Sequence, residues 1–387
     1  MSTKPKPTTT SLSLDLLRRS LYLPLTIAAV YIAFFLALLT PLFQRHLIFL
    51  HAIQFPLSPN YGQPSKYGLA PFKTRTLTLT TSDGEKIGAW HILPEVFYQS
   101  QLPYQKDEGG WGEEVYSRAM REYPTILYLH GNSMNRAAPW RVAAYCGLTG
   151  RMDVNVVAID YRGFGDSTGV PSEEGLVEDG ETAWRWIREQ QGGVGRGVVV
   201  FGQSLGTGVG ALLAAKLEAR GEVVDGLVLM APYTDLKALV KDFRLGGLLP
   251  LLKPIAGIPF NNYILDKYLK THFRTIHTLP LINHTPIVLL HARNDPVIPI
   301  THSHHLFSTL LSHHHPSLPI QSRTISTYAH IQRFHPSHPH STTTTTSVTL
   351  IETHHGGHNQ LTEGALDLVR LALRLPSHLD SVQKLIY

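Results

Sequence analysis

Between Val198 and Leu217 the chain reads VVVFGQSLGTGVGALLAAKL. An apolar run stops at Gly202, places Ser204, and restarts after Gly206 as an alanine-rich stretch. Few folds accept that pattern. A core strand feeding a core helix has no need of a serine on so sharp a corner. A Gly-x-Ser-x-Gly corner between strand and helix forces the serine into a strained backbone and lifts its hydroxyl clear of the sheet edge. The flanking glycines follow, because a side chain at either position collides with neighbouring backbone. A glycine-rich dinucleotide loop is the rival reading, since Gly206, Gly208 and Gly210 cluster. Such a loop belongs to an early strand, whereas this strand is a middle one.

The rest of the chain supplies the sheet that the corner requires. Residues 125–131, 154–165, 197–204, 225–233, 286–295 and 347–353 are short, nearly continuous apolar runs, as expected of parallel strands buried on both faces. Helical stretches such as Glu173 to Gln191 lie between them, so the pattern predicts a doubly wound, mostly parallel α/β sheet. Before it, residues 74–92 alternate apolar and polar about Ser82-Asp83-Gly84, which predicts a hairpin-like pair. Residues 94–123 read as a polar insertion with helical pieces.

A serine hydroxyl is inert without a base, and the base needs an orienting group. Asp295 ends the strand read as VLLHARND and is the candidate acid; Asp235, after the preceding strand, is the alternative. The base must follow the last strand, where IETHHGGHNQL offers His354, His355 and His358. His358 comes after a flexible Gly-Gly and is the preferred candidate, with His355 next. The two glycines also argue against a zinc-binding helix through His354 and His358. An oxyanion needs preplaced donors. The expected ones are the backbone N–H of Leu205, at the start of the elbow helix, and that of Asn132, or of Ser133, in the loop after TILYLHG. Asp160 and Arg162 in DYRGFGDSTG are read as structural, bonding to loops around the site. No metal or organic cofactor is expected.

Leu21 to Phe43 carries no charge and is long enough to cross a bilayer. It exceeds a signal-peptide apolar region and no small-residue cleavage pattern follows it. Lys4, Lys6, Arg18 and Arg19 precede the span and positive charge after it is sparser, which predicts a cytosolic N-terminus. The domains expected are a tail over 1–20, a transmembrane helix over 21–43, a linker over 44–73 and a catalytic domain over 74–387. Charged residues are 16% of the chain and the net charge is +5, which suits an anionic membrane surface. No basic and aromatic interleaving points to nucleic acid. Cys146 is the only cysteine, so no intrachain disulfide is available.

LYLHGNS, DYRGFGDSTG, FGQSLGTGV, LMAPYTDL and LHARNDPVIP together resemble the membrane-anchored monoacylglycerol and lysophosphatidylserine lipases of the α/β-hydrolase fold. The fungal bud-emergence-protein group is similar as well. The resemblance covers roughly Thr74 to Arg374 and implies Ser204 as nucleophile, Asp295 as acid and His358 as base. It also implies a lipid ester substrate, attachment to the bilayer, and a catalytic domain in the lumen of the endoplasmic reticulum. Residues 235–280 are expected to form a small lid whose apolar residues, Leu248 and Leu252 among them, hold an acyl chain. Residues 312–346, rich in His, Ser, Thr and Pro, are expected to be a disordered surface loop.

Overall fold

The computed structural model describes residues 9–103, 111–193, 196–242, 261–336 and 346–378. Strands β1 (Thr74–Thr80) and β2 (Lys86–Ile92) pair antiparallel, with Thr80 opposite Lys86 across the expected turn. Helices α3 (Glu95–Ser100) and α4 (Glu113–Glu122) follow, then the repeating strand–helix part. Its strands are β3 (Thr125–Leu129), β4 (Asn155–Ile159), β5 (Val198–Gln203), β6 (Gly226–Met230), β7 (Ile287–Ala292) and β10 (Val348–Thr353). These run parallel in the order β4-β3-β5-β6-β7-β10. Each is buried along its whole length, which is why none shows a polar–apolar alternation in sequence.

The two faces of the sheet have separate cores. Along β5, Val198 and Val200 join one core while Val199 and Phe201 join the other. The period of two along a strand decides which. Helices α6 (Glu173–Gln190), α7 (Leu205–Glu218) and α11 (Thr301–His314) cover the first face through residues such as Leu176, Val209 and Leu306. Helices α5 (Pro139–Arg151) and α12 (Glu363–Leu373) cover the second through Val142, Tyr145 and Leu366. Ser172 caps α6 by accepting a hydrogen bond from the Gly175 N–H at 3.0 Å.

Three expectations change or sharpen. Helix α1 (Thr9–Leu38) contains the candidate span, Arg19–Leu38, so the expected span over 21–43 is shortened at its C-terminal end. Thr40 is extended and Pro41 occupies the first turn of a second helix, α2 (Pro41–Phe49), a position where its missing N–H costs nothing. The linker expected over 44–73 packs against the body of the domain, which its apolar run over 47–57 also suggests. Gln44 and Phe49 are buried, and the Gln44 side chain bonds to Tyr268 O and Lys270 N at 2.8 and 3.0 Å. The third concerns 312–346. Helix α11 runs to His314, and β8 (Gln321–Ile325) and β9 (Ala329–Phe334) form a hairpin that extends the sheet beyond β10. Phe334 is buried against Phe307, with ring centroids 5.2 Å apart. The expected disorder was read from the composition of the whole stretch, which hid the apolar anchors of β9. The Thr-rich part, 337–345, lies outside the described residues.

Between β6 and β7 lie α8 (Leu236–Asp242), α9 (Asn261–Tyr268) and α10 (Thr275–Thr278). Leu248 and Leu252, expected to line a lid, lie outside the described residues.

Candidate active site

Ser204 sits between the last residue of β5 and the first of α7, with φ 50° and ψ −116°. Only tight surroundings hold a non-glycine residue there, at a cost of order 1–3 kcal/mol. They are visible on both sides. A Cβ at Gly202 would strike the carbonyl of Gly206, and a Cβ at Gly206 would strike that of Leu129. The Ser204 N–H donates to Met230 O at 2.9 Å, and Thr207 donates to Ser204 O from both its N–H and its hydroxyl.

His358 lies in the loop after β10, reached through Gly356 and Gly357, both at positive φ. Its Nε2 is 3.0 Å from Ser204 Oγ and its Nδ1 is 2.8 Å from Asp295 Oδ2. A carboxylate can only accept here, so the imidazole proton sits on Nδ1 and the Nε2 lone pair faces the serine hydroxyl. Asp235, His354 and His355, the alternatives, are not in this chain of contacts. Asp295 Oδ1 accepts from the N–H groups of Val297 and Ile298 at 2.8 and 3.0 Å. Burial alone would push its carboxyl up. Hydrogen bonds from His291, His358 and the Ile298 N–H outweigh burial and hold it well below the usual carboxylate range.

His291 was not read from the sequence as a site residue. It is the penultimate residue of β7, four residues before Asp295, and is buried. Its Nε2 is 3.0 Å from Ile298 O and 3.3 Å from Asp295 Oδ2, and its Nδ1 is 2.7 Å from Ser303 Oγ. The carbonyl can only accept, so Nε2 carries the proton and Ser303 donates to Nδ1.

The loop after β3 approaches Ser204 from the other side, with Gly131 against the serine Cβ. Gly131 O accepts from His130 Nδ1 at 2.6 Å and from Arg141 Nη2 at 3.1 Å. In a trans peptide the N–H points opposite to the C=O. Fixing the Gly131 carbonyl therefore turns the Asn132 N–H away from Arg141. The Ser133 N–H is committed to Phe49 O at 2.9 Å and the Met134 N–H to Ile53 O at 2.6 Å. Of the two loop donors considered from sequence, the Ser133 N–H is taken by a backbone carbonyl, and none takes the Asn132 N–H among the described residues. Arg141 also escaped the sequence reading. A lone arginine in the apolar run PWRVAAYC was the available signal.

Asp160 and Arg162 are structural, as expected. Asp160 accepts from Arg136 N and Nη1 at 2.6 and 2.7 Å, while Arg162 grips Asp179 and Asp83.

Above Ser204 lies a cavity of about 440 Å³. Leu205, Tyr233, Leu236, Leu239, Val297 and Ile298 give it apolar walls on the catalytic side. Ile48, Leu50 and Ile53, from the segment after α1, close it opposite. Among the described residues no carboxylate lines it. Nor do any three or more His, Cys, Asp or Glu side chains gather anywhere in a group able to hold a metal ion, among the described residues.

Comparison with known proteins agrees with this geometry. The family described as serine aminopeptidase, S33 matches residues 126–278. Lysophosphatidylserine lipase ABHD12 of Xenopus tropicalis is 34% identical over 281 residues, covering 70% of this chain and 66% of that protein. The Gallus gallus protein of the same name is 32% identical over 281 residues, covering 70% and 67%. The chain thus spans about two thirds of the length of these relatives. Among solved structures, the Pyrococcus furiosus esterase Pf2001 superposes with a TM-score of 0.52 at 16% identity, covering 83% of this chain and 97% of that one. That likeness shows the α/β-hydrolase fold, and the sequence relatives narrow it. Elbow, sheet order and relatives converge, and the chain belongs to the ABHD12 lysophosphatidylserine lipase family of α/β hydrolases.

Proposed function

We propose that this chain is a membrane-anchored serine hydrolase that cleaves acyl esters of single-chain lipids, of lysophospholipid or monoacylglycerol type. The observation that carries the reading is the unbroken contact chain Ser204–His358–Asp295 beneath an apolar cavity. Ser204 Oγ attacks the ester carbonyl while His358 Nε2 takes its proton. Asp295 holds the Nδ1 tautomer and balances the imidazolium. The developing oxyanion is held by the N–H groups of Leu205 and Asn132. His358 then returns the proton to the leaving alkoxide, and water repeats the cycle on the acyl-enzyme. Peptidase work with the same residues fits less well. An aminopeptidase must hold a substrate ammonium, and the cavity offers no carboxylate among the described residues.

The apolar helix Arg19–Leu38 fits a single-pass membrane protein. We propose further that the N-terminus is cytosolic and that the catalytic domain faces the lumen of the endoplasmic reticulum. Lys4, Lys6, Arg18 and Arg19 before the span support that orientation. Protease protection in sealed microsomes tests it, and digestion of the catalytic domain from the cytosolic side would refute it.

The chemistry is tested by incubating membranes with a fluorophosphonate probe beside Ser204→Ala, followed by a panel of lipid esters. Labelling that requires Ser204, with turnover of lysophospholipids or monoacylglycerols, is expected. Folded, detergent-opened protein that refuses the probe would overturn the reading.

A further inference from the structure

The membrane-exit segment does more than tether the domain. Helix α2 and the residues after it are fastened to the catalytic body at both ends. Gln44 Nε2 donates to Leu38 O and to Tyr268 O, each at 2.8 Å, and its Oε1 accepts from Lys270 N. Farther on, Phe49 O and Ile53 O take the N–H groups of Ser133 and Met134, in the same loop that carries Asn132. The end of the membrane helix and the oxyanion loop are thus held in one frame.

Within that frame lie two apolar spaces. One is the cavity over Ser204, walled by Ile48, Leu50 and Ile53. The other is a narrow crevice of about 50 Å³, between the end of α1 and the residue after it (Phe35, Leu38, Leu39), helix α2 (Leu47, Ile48) and α9 (Leu265). Ile48 lines both. Helix α8 also borders both spaces, Leu239 lining the cavity and Val240 the crevice. The polar groups of Gln44, the one amide on the crevice wall, are already engaged by backbone. What the crevice offers a ligand is therefore hydrocarbon. At its outer end stands the helix whose residues Leu21, Leu23, Ile27 and Val30 are exposed, as a bilayer-facing surface must be.

We propose that the crevice is an acyl-chain subsite, which takes the tail of a lipid from the bilayer beside α1 and passes it under Ile48 to Ser204. The membrane helix then forms part of the binding site. This rests on Ser204 being the nucleophile of an ester hydrolase. The occupant is a single extended acyl chain, because the crevice is too narrow for a headgroup and its wall, among the described residues, is hydrocarbon apart from the engaged Gln44 amide and the Tyr268 hydroxyl.

The test uses the full chain in phosphatidylcholine vesicles. Ile48→Trp narrows the junction of the two spaces. Leu39→Trp blocks the crevice alone, remote from Ser204. For each variant kcat/KM is measured on oleoyl lysophosphatidylserine in the vesicles and on water-soluble p-nitrophenyl butyrate, with fluorophosphonate labelling as a check of folding. The ratio of long-chain to short-chain kcat/KM is expected to fall about tenfold or more in both, the scale set by one or two methylenes lost from an apolar pocket. A ratio that stays within about twofold of wild type in a variant that still labels would overturn the subsite. If Ile48→Trp does not label, Leu39→Trp decides by the same ratio. Wild-type protein that labels with neither ester turned over would instead overturn the hydrolase reading.

Discussion

Arg141 is the residue whose replacement tests most about how this site is held. Its side chain is buried, and no carboxylate is paired with it among the described residues. Instead it donates to the carbonyls of Gly131, Asn132, Ser133 and Asn135, at 2.9–3.3 Å, nearly every acceptor in the loop beside Ser204. Arg141→Met keeps the bulk and removes every donor. A buried carbonyl left without a partner costs about 1–3 kcal/mol. His130 still serves Gly131 O, and water can reach the partly exposed Asn132 and Ser133 carbonyls, so the net loss is about 3 kcal/mol. That corresponds to a melting temperature lower by about 5 °C for a domain of this size. The catalytic effect follows from peptide geometry. A freed Gly131–Asn132 peptide lets the Asn132 N–H swing off the oxyanion position. Losing such a donor outright costs about 10²–10³ in kcat, and loosening it costs about 10- to 100-fold. Arg141→Lys is expected to recover part of this, since three of the four carbonyls converge on Nη2 and an ammonium has three donors. The assay is steady-state hydrolysis of a soluble ester, resolving kcat from KM, beside thermal melts. If Arg141→Met keeps kcat within about twofold while KM rises, the guanidinium binds substrate and the account of the loop is wrong.

Replacing Asp295 by Asn reverses the tautomer demanded of His358, and kcat is expected to fall about 10⁴-fold with KM little changed, measured on the same ester. Because Asp295 stays ionised far below its usual range, the acid limb of kcat/KM is expected to follow a single proton; a two-proton slope would contradict this. His91 governs acid stability. It is wholly buried between Arg75 Nε and Asn155 Oδ1, and burial, then the Arg75 charge, lowers its pKa to about 3. The folded value lies below the unfolded one, near 6.5, so its stabilisation is complete above that pH and drains as pH falls toward 3, by up to about 1.4 kcal/mol per pH unit. Denaturant melts of His91→Gln, which keeps one donor and one acceptor, are expected to show a shallower acid loss than wild type. Deleting residues 319–346 strips β9 from β10 and uncovers Phe307, so a lower melting temperature and aggregation are expected by light scattering.

The elbow, the parallel strands and the three residues of the contact chain were legible because each leaves a local mark. Buried parallel strands are unbroken apolar runs, and a nucleophile on a corner must be flanked by glycines. His358 was harder to separate from His354 and His355, since that choice depends on how Gly356 and Gly357 turn the loop. Supports that act from a distance in sequence left no such mark. Arg141 reaches back to residues 131–135 across a helical turn, and its role exists only once the loop folds around it. The apolar run that holds Ile48 and Ile53 shows that it must cover something, but not that it covers the loop over Ser204 until α2 is seen to turn at Pro41 and lie against the body. The β8–β9 hairpin was hidden in low-complexity surroundings for a similar reason: its evidence of order is Phe334 meeting Phe307, a contact between segments.

The supports also explain why so much charge is buried near a reaction that needs an apolar cavity. On the proposed mechanism the loop carrying Asn132 has to keep an N–H pointing at Ser204, so it cannot lie in a strand, where neighbours would consume that donor. It must be held by its carbonyls instead, and an arginine offers more donors in a fixed fork than any other side chain. Arg141 does this directly. Arg136, the next residue after the loop, anchors its far end through Asp160 and Asp166, stacked 3.8 Å over the Tyr61 ring. His130 at the near end sits 3.4 Å from the same Asp160. Breaking either anchor strands a buried charge, a large penalty. An apolar clamp would cost less to bury but would leave the peptide planes free to rotate. Buried cations around the loop are thus what keeps a donor aimed beside a cavity that must otherwise stay hydrocarbon.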